Sequence, residues 1–312
     1  MKTKNIADAL RELAEKEDAR DAVRSFIAER AALDTPEKRQ EIAEIVYMIV
    51  REQIEQPNWI DQVFNRIDIG FQDSPVVRTK SGLDAWQLSD KSDLPQRFQT
   101  TKDQLVNTYR FGGSTNASRR ELGAGRIDTL QQLAAEIRNQ MQGKMNTFVW
   151  NLLKATSNAG DSNYFDAAAT YKARLDNAID YLTDFGDIKA IVGLGSAGIN
   201  AVTNFTGYSE TKLTEKDNSL FLQSYRGIPL VKVKQVYKAD NGEFNVEDGT
   251  AQITGDKVFV VTGTAGHTIY QGGIVEDTDK NIRTGSIDLA VETYFGSVAL
   301  APGRRIAQVE YS

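Results

Sequence analysis

Apolar residues recur with a helical period over residues 3–56. They lie at intervals of three and four, and the second of two predicted helices carries a stripe that includes Ile42, Ile45 and Ile49. This spacing collects apolar side chains on one face of each helix, and that face needs a surface to lie against. We expect a second subunit to supply part of that surface.

Residues 66–110 differ because polar and charged side chains dominate them. Two short β-prone pieces, Val76-Val77 and residues 106–111, flank a centre with few apolar residues. An isolated two-stranded hairpin of this length is only marginally stable in water unless it packs against another surface. The segment is therefore either a disordered linker or an arm that docks on a neighbouring subunit. For the arm, the candidate contact residues are Arg78, Lys80, Trp86, Lys91 and Arg97.

The longest predicted helix covers residues 129–157. Asp128 and Gln131 have the spacing of a capping box, and an apolar stripe follows from Leu130 to Leu152. A helix of that length extends about 40 Å at 1.5 Å per residue. Its stripe fits a coiled-coil seam and, equally well, a packing surface for a sheet.

The second half of the chain alternates between helical and strand-like patterns. A helix over residues 171–182 precedes a strand at 188–192, and further strands are predicted at 229–236 and 257–262. Near the end, apolar and polar residues alternate from 287 to 291 with the period of a half-buried strand. The pattern predicts a mixed α+β chain in which hairpins dominate the last third.

A glycine motif follows the strand at 188–192. Gly193, Gly195 and Gly198 spell G-x-G-x-x-G before an apolar-periodic segment, as in loops that hold a dinucleotide pyrophosphate. Such a site also needs an acid at the end of a second parallel strand, about twenty residues further on. That position is Leu213, in a polar run, and the hairpins that follow predict no further βαβ unit. We therefore interpret the glycines as a tight turn that packs a strand closely against a helix.

The amino-acid composition excludes several kinds of functional site. The 312 residues include no cysteine and one histidine, His267, which excludes disulfides, thiolate metal sites and zinc sites with several histidines. The net charge of −6 argues against a protein whose whole surface binds nucleic acid. No constellation for catalysis remains, so we expect a structural protein, not an enzyme, with no catalytic residue, cofactor or metal.

The order of these segments resembles that of the major capsid proteins of tailed bacteriophages. The stretch GRIDTLQQLAAEIRNQMQGKMNTFVWNLLKAT resembles the long spine helix of that family. LDNAIDYLTDFGDIKAIVGLGSAGINAVTNF is similar to the helix, strand and helix of its axial domain, and LQSYRGIPLVKVKQV to a turn that leads into an axial strand. RTGSIDLAVETYFGSVALAPGRRIAQV resembles the final strands of its peripheral domain. The resemblance covers residues 66–312.

The resemblance implies an α+β fold of the phage-capsid type, which encapsulins share. Its expected parts are an N-terminal helical arm (1–61), an extended β-hairpin loop (62–110), a peripheral domain (111–160 and 263–312) that contains the spine helix, and a mixed α/β axial domain (161–262). The loop would lie across a neighbouring subunit.

The resemblance also implies a function. The chain would be a shell subunit that assembles with itself into hexamers and pentamers of an icosahedral head, with portal, scaffolding or decoration proteins as further partners. The head would enclose double-stranded DNA without sequence-specific binding, and an acidic protein suits that role because phosphate contacts need lysine and arginine. We expect a virion protein, assembled in the cytoplasm of a host bacterium, with no membrane partner. The alternatives are an encapsulin-like cargo compartment and an enzyme with a glycine-loop cofactor.

Overall fold

The computed structural model describes residues 58–81, 100–118, 127–167, 170–205, 223–238, 249–253, 255–263, 265–281 and 286–311, together with 35, 37, 40 and 41. The two helices expected over residues 3–56 lie outside the described residues, apart from helical backbone at 37, 40 and 41.

The described chain contains short and long helices among many strands. In chain order the helices are α1 (Trp59–Val63), α2 (Ile127–Lys154), α3 (Tyr171–Thr183), α4 (Asn200–Thr203) and α5 (Pro302–Arg305), and a π-helical turn covers Gly195–Ile199. The strands are β1 (Asn65–Ile69), β2 (Val76–Ser81), β3 (Thr100–Leu105), β4 (Tyr109–Ser118), β5 (Tyr164–Phe165), β6 (Ile188–Leu194), β7 (Ser224–Tyr225), β8 (Ile228–Val233), β9 (Tyr237–Lys238), β10 (Thr250–Ala251), β11 (Lys257–Thr262), β12 (Gly266–Asn281), β13 (Ser286–Ala299) and β14 (Ile306–Glu310).

Two larger sheets organise these strands. The four-stranded sheet has the order β1-β12-β13-β4, in which β1 is parallel to β12 and the other neighbours are antiparallel. The six-stranded sheet has the order β5-β14-β11-β6-β8-β7 and is mixed. Two antiparallel pairs stand apart: β9 with β10, and β2 with β3. We call the β2–β3 pair the ribbon.

The long helix α2 packs against the four-stranded sheet, not along a coiled-coil seam. Ile137, Met141 and Met145 are buried, and the stripe continues through Trp150 and Leu153, because steps of three and four keep one face toward the sheet. The helix passes so close to β4 that a Cβ added at Gly113 would lie 2.8 Å from the carbonyl oxygen of Ile137. The helix begins at Ile127, so Asp128 lies inside it and does not occupy the predicted cap position.

The six-stranded sheet is covered on both faces. Helix α3, whose start is capped by the Thr170 hydroxyl accepting from the Ala173 amide at 3.3 Å, covers one face with Leu175, Ile179 and Leu182. The other face shares one apolar core with α1, α2 and the inner face of the four-stranded sheet, and Trp150 packs edge-on against Phe259 in that core.

Two features of the six-stranded sheet differ from the sequence-based expectations. Strand β8 runs parallel to β6, so the expectation that no βαβ unit follows the glycine motif is wrong at this point. Strand β14, expected with the peripheral strands of residues 263–312, pairs with β11 and β5 in the six-stranded sheet. Apolar alternation identifies a strand but not its neighbour, since the pairing depends on contacts between residues far apart in the chain. The domain limits themselves stay predictions.

Candidate subunit interface

Of the eight candidate contact residues, the structure describes two. Ile42, Ile45, Ile49, Trp86, Lys91 and Arg97 lie outside the described residues, and their roles stay predictions. Arg78 and Lys80 both lie on β2, opposite Asp103 and Thr101 of β3. The Arg78 guanidinium is 3.5 Å from the Asp103 carboxylate, and both side chains are more than half exposed. The ribbon thus carries exposed charges, as the sequence suggested for this segment.

The base of the ribbon is fixed to the four-stranded sheet by a small apolar cluster. Val77 and Val106 are almost fully buried there, and they pack with Ile269 and Leu300. The Val106 amide also donates to the carbonyl of Pro75 at 2.8 Å. The direction of the ribbon is therefore set by its own chain.

Gln271 ties together the two segments that enter and leave the ribbon. Its side-chain oxygen accepts from the Thr108 hydroxyl at 2.8 Å, and its side-chain nitrogen donates to the carbonyls of Phe71 and Asp73, both at 3.0 Å. In the turn itself, the Gly70 amide donates to the Asp73 carboxylate at 2.8 Å. These bonds hold the turn before β2 in one conformation.

A glycine bulge next to Gln271 completes this base. Gly272 and Gly273 have φ values of +77° and +74°, which favour glycine, and they interrupt the pairing of β12 with β13. A Cβ on Gly272 would lie 2.8 Å from the Phe71 ring, so the bulge makes room for that ring. The Thr293 hydroxyl donates to the Gly273 carbonyl at 2.9 Å and fixes the bulge.

The same turn presents an exposed aromatic ring. Phe71 is 63% exposed, although it packs edge-on against Tyr294 with ring centroids 5.5 Å apart. Leu105, at the end of β3, is 68% exposed. Large apolar side chains held in place at the surface are typical of contact sites. Sequence reasoning missed both residues; the signal for Phe71 was a lone aromatic between the turn formers Gly70 and Pro75.

Charged groups lie on the open face of the four-stranded sheet, opposite α2. Arg110 on β4 makes a close ion pair with Glu292 on β13. Asp288 lies further along β13 on the same face as Glu292, because the alternating positions Val291 and Thr293 are buried on the other face. The register places Asp277 and Asp279 of β12 opposite Ala290 and Asp288. This face therefore carries an excess of acidic positions.

Helix α1 anchors the described chain where the two sheets meet, since it contacts strands of both. The Asn58 side chain accepts from the amides of Ile60 and Asp61, and the Trp59 indole donates to Asn146 of α2 at 3.0 Å. Burial raises the pKa of the Asp61 carboxyl above its usual value, and burial also lowers the pKa of the nearby Lys189 ammonium. The described chain is thus fixed to both sheets at this first helix.

The glycine motif forms a packed turn. A Cβ on Gly198 would lie 2.3 Å from a methyl group of Val258, and one on Gly193 would lie 3.0 Å from the same methyl. Gly195, the position that approaches a pyrophosphate in dinucleotide sites, has ordinary space beside Lys232. The parallel neighbour β8 ends at Val233 and is followed by Lys234, where a ribose-binding acid would be needed. Close packing against β11 therefore accounts for Gly193 and Gly198.

The described residues form neither a metal-binding cluster nor a membrane-spanning helix. They contain no group of three or more His, Cys, Asp or Glu side chains that could hold a metal ion. Every helix among them is too short or too polar to cross a lipid bilayer.

Comparison of sequences finds no relative of this chain, whereas comparison of backbones finds similar structures. No model of a protein family matches the chain, and no curated protein sequence matches it either. A structure from Microbacterium phage Oxtober96 superposes with a TM-score of 0.53 at 7% identity, covering 79% of this chain and 88% of that one. A virus-like particle from Pyrococcus furiosus superposes with a TM-score of 0.51 at 12% identity, and the match covers 86% of this chain and 98% of that one.

A third match comes from the mature capsid of bacteriophage PhiM1. It gives a TM-score of 0.50 at 10% identity, and it covers 79% of this chain and 85% of that one. At these identities the agreement establishes the fold alone. The chain has the α+β fold of phage capsid proteins, as the resemblance implied.

Proposed function

We propose that this chain is a major capsid protein, the subunit that assembles into the icosahedral head shell of a tailed bacteriophage. The observation that carries this proposal is the backbone agreement with the PhiM1 capsid, which extends over 79% of this chain and 85% of that one. The matched regions cover about four fifths of each chain, so the agreement is not confined to one shared motif.

The surface of the described chain supports a role in assembly. The ribbon leaves the sheet from a rigid base, and Phe71 and Leu105 are exposed beside it. An exposed apolar residue on a rigid turn loses little side-chain freedom when it binds a partner. The ribbon is the root of the loop proposed to cross a neighbouring subunit, with Arg78, Lys80, Trp86, Lys91 and Arg97 as contact residues.

The finer organisation belongs to the same proposal. We assign the arm to residues 1–61, with Ile42, Ile45 and Ile49 facing another subunit, the loop to 62–110, and the axial part to 161–262. The shell would consist of hexamers and pentamers, and it would meet portal, scaffolding or decoration proteins. It would enclose double-stranded DNA without reading its sequence, in a virion assembled in the bacterial cytoplasm. The subunit would have a structural role and no catalytic one.

Electron microscopy of the purified full-length chain tests the proposal. We expect closed shells of uniform diameter in negative stain. The matched variants are Phe71→Ser and Phe185→Ser, because both replace an exposed phenylalanine, one beside the ribbon and one at the end of α3. We expect Phe71→Ser to reduce the yield of shells more strongly. A wild-type chain that stays monomeric under all assembly conditions would contradict the proposal.

Absorbance separates the head shell from an encapsulin-like cargo compartment. Particles that contain this chain, purified from the cells that naturally produce it, should absorb more strongly at 260 nm than at 280 nm, because a packaged genome dominates the spectrum. Particles with a pure protein spectrum and a co-purifying enzyme would favour the cargo compartment instead.

A further inference from the structure

A helix of five residues joins the two large sheets. Helix α1 contacts β1 and β12 of the four-stranded sheet, and it contacts β6 and β8 of the six-stranded sheet. Its side chains Trp59, Ile60 and Val63 are buried in the core that the two sheets share. A helix this short is not stable on its own in water. These apolar contacts therefore hold α1 in the seam between the sheets.

The same helix carries a carboxylate into this seam. The Oδ2 atom of Asp61 accepts a long hydrogen bond of 3.4 Å from the Asn58 amide, as part of the capping box. The Oδ1 atom is buried, and it has no hydrogen-bond partner among the described residues. Burial raises the pKa of this carboxyl above its usual value, and the bond from the Asn58 amide opposes that shift. The docked position of α1 therefore disfavours the ionised form of Asp61.

Charged and titratable groups of the four-stranded sheet lie near Asp61. On β1, Arg66 and Asp68 form an ion pair with each other at 3.0 Å, and the Arg66 guanidinium lies 4.2 Å above the centre of the Tyr270 ring on β12. The Arg66 charge is thus shared with other partners, and Asp68 adds a like charge that raises the pKa of Asp61. His267 lies on the opposite face of β12 from Tyr270 because side chains alternate along a strand.

The six-stranded sheet contributes one charged group near Asp61. The pairing of β6 with β11 omits Lys189 at a register shift, so Lys189 is the extra residue of a β-bulge. Burial lowers the pKa of the Lys189 ammonium, and the charge of Asp61 opposes that shift. For both groups burial has the larger effect, so their attraction offsets only part of the cost of burial. On β8, Val231 and Val233 face the shared core, and Lys232 lies on the other face beside the glycine turn.

We propose that α1 is a latch between the two sheets, and that the charge of Asp61 controls it: the helix leaves the seam more readily when the carboxylate is ionised, and it is held there when the carboxyl is neutral. The apolar side chains Trp59, Ile60 and Val63 favour the docked position in both states. The ionised carboxylate opposes them because docking removes it from water. This regulation goes beyond the proposed shell function and does not depend on it.

The pH dependence of the latch has a definite sign. Because the pKa of Asp61 is higher in the docked state, docking favours the uptake of a proton in the range above about pH 4, the ordinary value for aspartate. Release of α1 should therefore become rarer as the pH falls from neutral toward that value. The effect of His267 has the opposite sign, since burial disfavours its protonation in the folded state. The histidine cannot produce the predicted response.

Thiol labelling of the full-length chain measures the release of α1. The sequence has no cysteine, so Val63→Cys introduces a single thiol, at a position of α1 that is 1% exposed. A second chain with Val260→Cys, fully buried on β11, measures opening of the six-stranded sheet. Labelling rates of free subunits are measured between pH 7.5 and 4.5. Division by the rate of the same cysteine in urea at each pH gives the open fraction of each site.

The expected response belongs to Asp61 alone. In the Val63→Cys chain, the open fraction should fall about two- to tenfold between pH 7.5 and 4.5. Adding Asp61→Asn keeps the shape and removes the charge, so the open fraction should already be low at pH 7.5 and nearly constant below it. Asp68→Asn is the matched control, because it removes the same charge from a mostly exposed side chain of β1. It should retain the decrease.

Three results would overturn the proposal: an open fraction at Val63→Cys that stays constant or rises in acid, the same decrease in the Asp61→Asn chain, or an equal decrease at Val260→Cys. Circular dichroism checks that each variant is folded. If Asp61→Asn does not fold, Asp61→Ser replaces it, because serine also offers an uncharged oxygen to the Asn58 amide. The measurement uses free subunits, so it is independent of whether the chain forms shells.

Discussion

The two large sheets of this molecule differ in how much of their surface the chain itself covers. Both faces of the six-stranded sheet are buried, one under α3 and one in the core shared with α1 and α2, and both of its edges are strands of two residues. Among the described residues, the four-stranded sheet is covered by α2 on one face and by the ribbon base at one end of the other. Its β4 edge is ten residues long.

This contrast separates the requirements of folding from those of assembly. Burial of apolar surface is the main stabilising term in folding, so the six-stranded sheet and the shared core contribute most of the stability of one subunit. In the part of the chain that the structure describes, the four-stranded sheet has an open face and ends in β4, and Phe71 and Leu105 are exposed beside it. A neighbouring subunit can use those features without refolding them.

The strongest test of the contrast replaces one phenylalanine in each region. Phe259→Ala should lower the free energy of unfolding by about 3–5 kcal/mol, because it removes a fully buried ring and leaves a cavity beside Trp150. Phe71→Ala should change it by about 0.5 kcal/mol or less, because that ring is mostly exposed. Urea unfolding of free subunits measures both. Equal losses would mean that stability is spread evenly over the two regions.

A smaller effect is expected within the glycine motif. Gly198→Ala should destabilise the subunit by about 1–3 kcal/mol, because the new Cβ overlaps a methyl group of Val258. Gly195→Ala, its matched control, should be tolerated, because its nearest neighbours lie at ordinary contact distances. Thermal unfolding compares them. If the control were the more harmful variant, close packing would not explain the motif.

The single histidine gives the four-stranded sheet a weak dependence of stability on pH. Burial lowers the pKa of the His267 imidazole below its usual value, and the nearby Arg305 guanidinium lowers it further, while a hydrogen bond with the Asn65 backbone opposes them. Protonation is therefore less favourable in the folded state than in the unfolded state. The contribution of neutral His267 to the free energy of unfolding should therefore be fully present above about pH 6.5, and it should decrease as the pH falls below that value.

The comparison of wild type with His267→Gln tests this dependence. Unfolding free energies measured between pH 7.5 and 5 should fall more steeply for the wild type than for the variant. Parallel curves for the two proteins would show that other groups cause the change.

The smallest effect is expected on the ribbon. Arg78→Ala should change the stability of the free subunit by about 0–1 kcal/mol, since the ion pair with Asp103 is exposed to solvent. The same variant should weaken assembly more than Asp103→Ala, because only the arginine adds to the basic charge that docks on a neighbour. Light scattering during assembly measures that difference, and equal effects would argue for a purely local pair.

The sequence predicted the local elements well and their pairing less well. The strand at 257–262 and the helices near 129–157 and 171–182 agree with the structure, because apolar periodicity reports which face of an element is buried. The parallel pairing of β6 with β8 and the place of β14 did not follow from periodicity, since many partners present the same apolar face. The resemblance to phage capsid proteins depended on the order of segments, and the backbone comparison confirmed the fold.

The candidate interface was the least predictable part. Sequence reasoning found the charged ribbon through its composition, but it missed Phe71 and Gln271. Gln271 lies 200 residues after Phe71 and 163 residues after Thr108, so its role depends on the folded structure. The glycine pair 272–273 inside β12 was a local signal for the bulge.

Hydrogen exchange on free subunits and on assembled particles tests the central claim most directly. The account predicts slow exchange for β6, β11 and α2 in both states, because these elements are buried within one subunit. The ribbon should exchange rapidly in free subunits and slowly in particles. Equal protection of the ribbon in both states would contradict the claim that a neighbouring subunit covers this region.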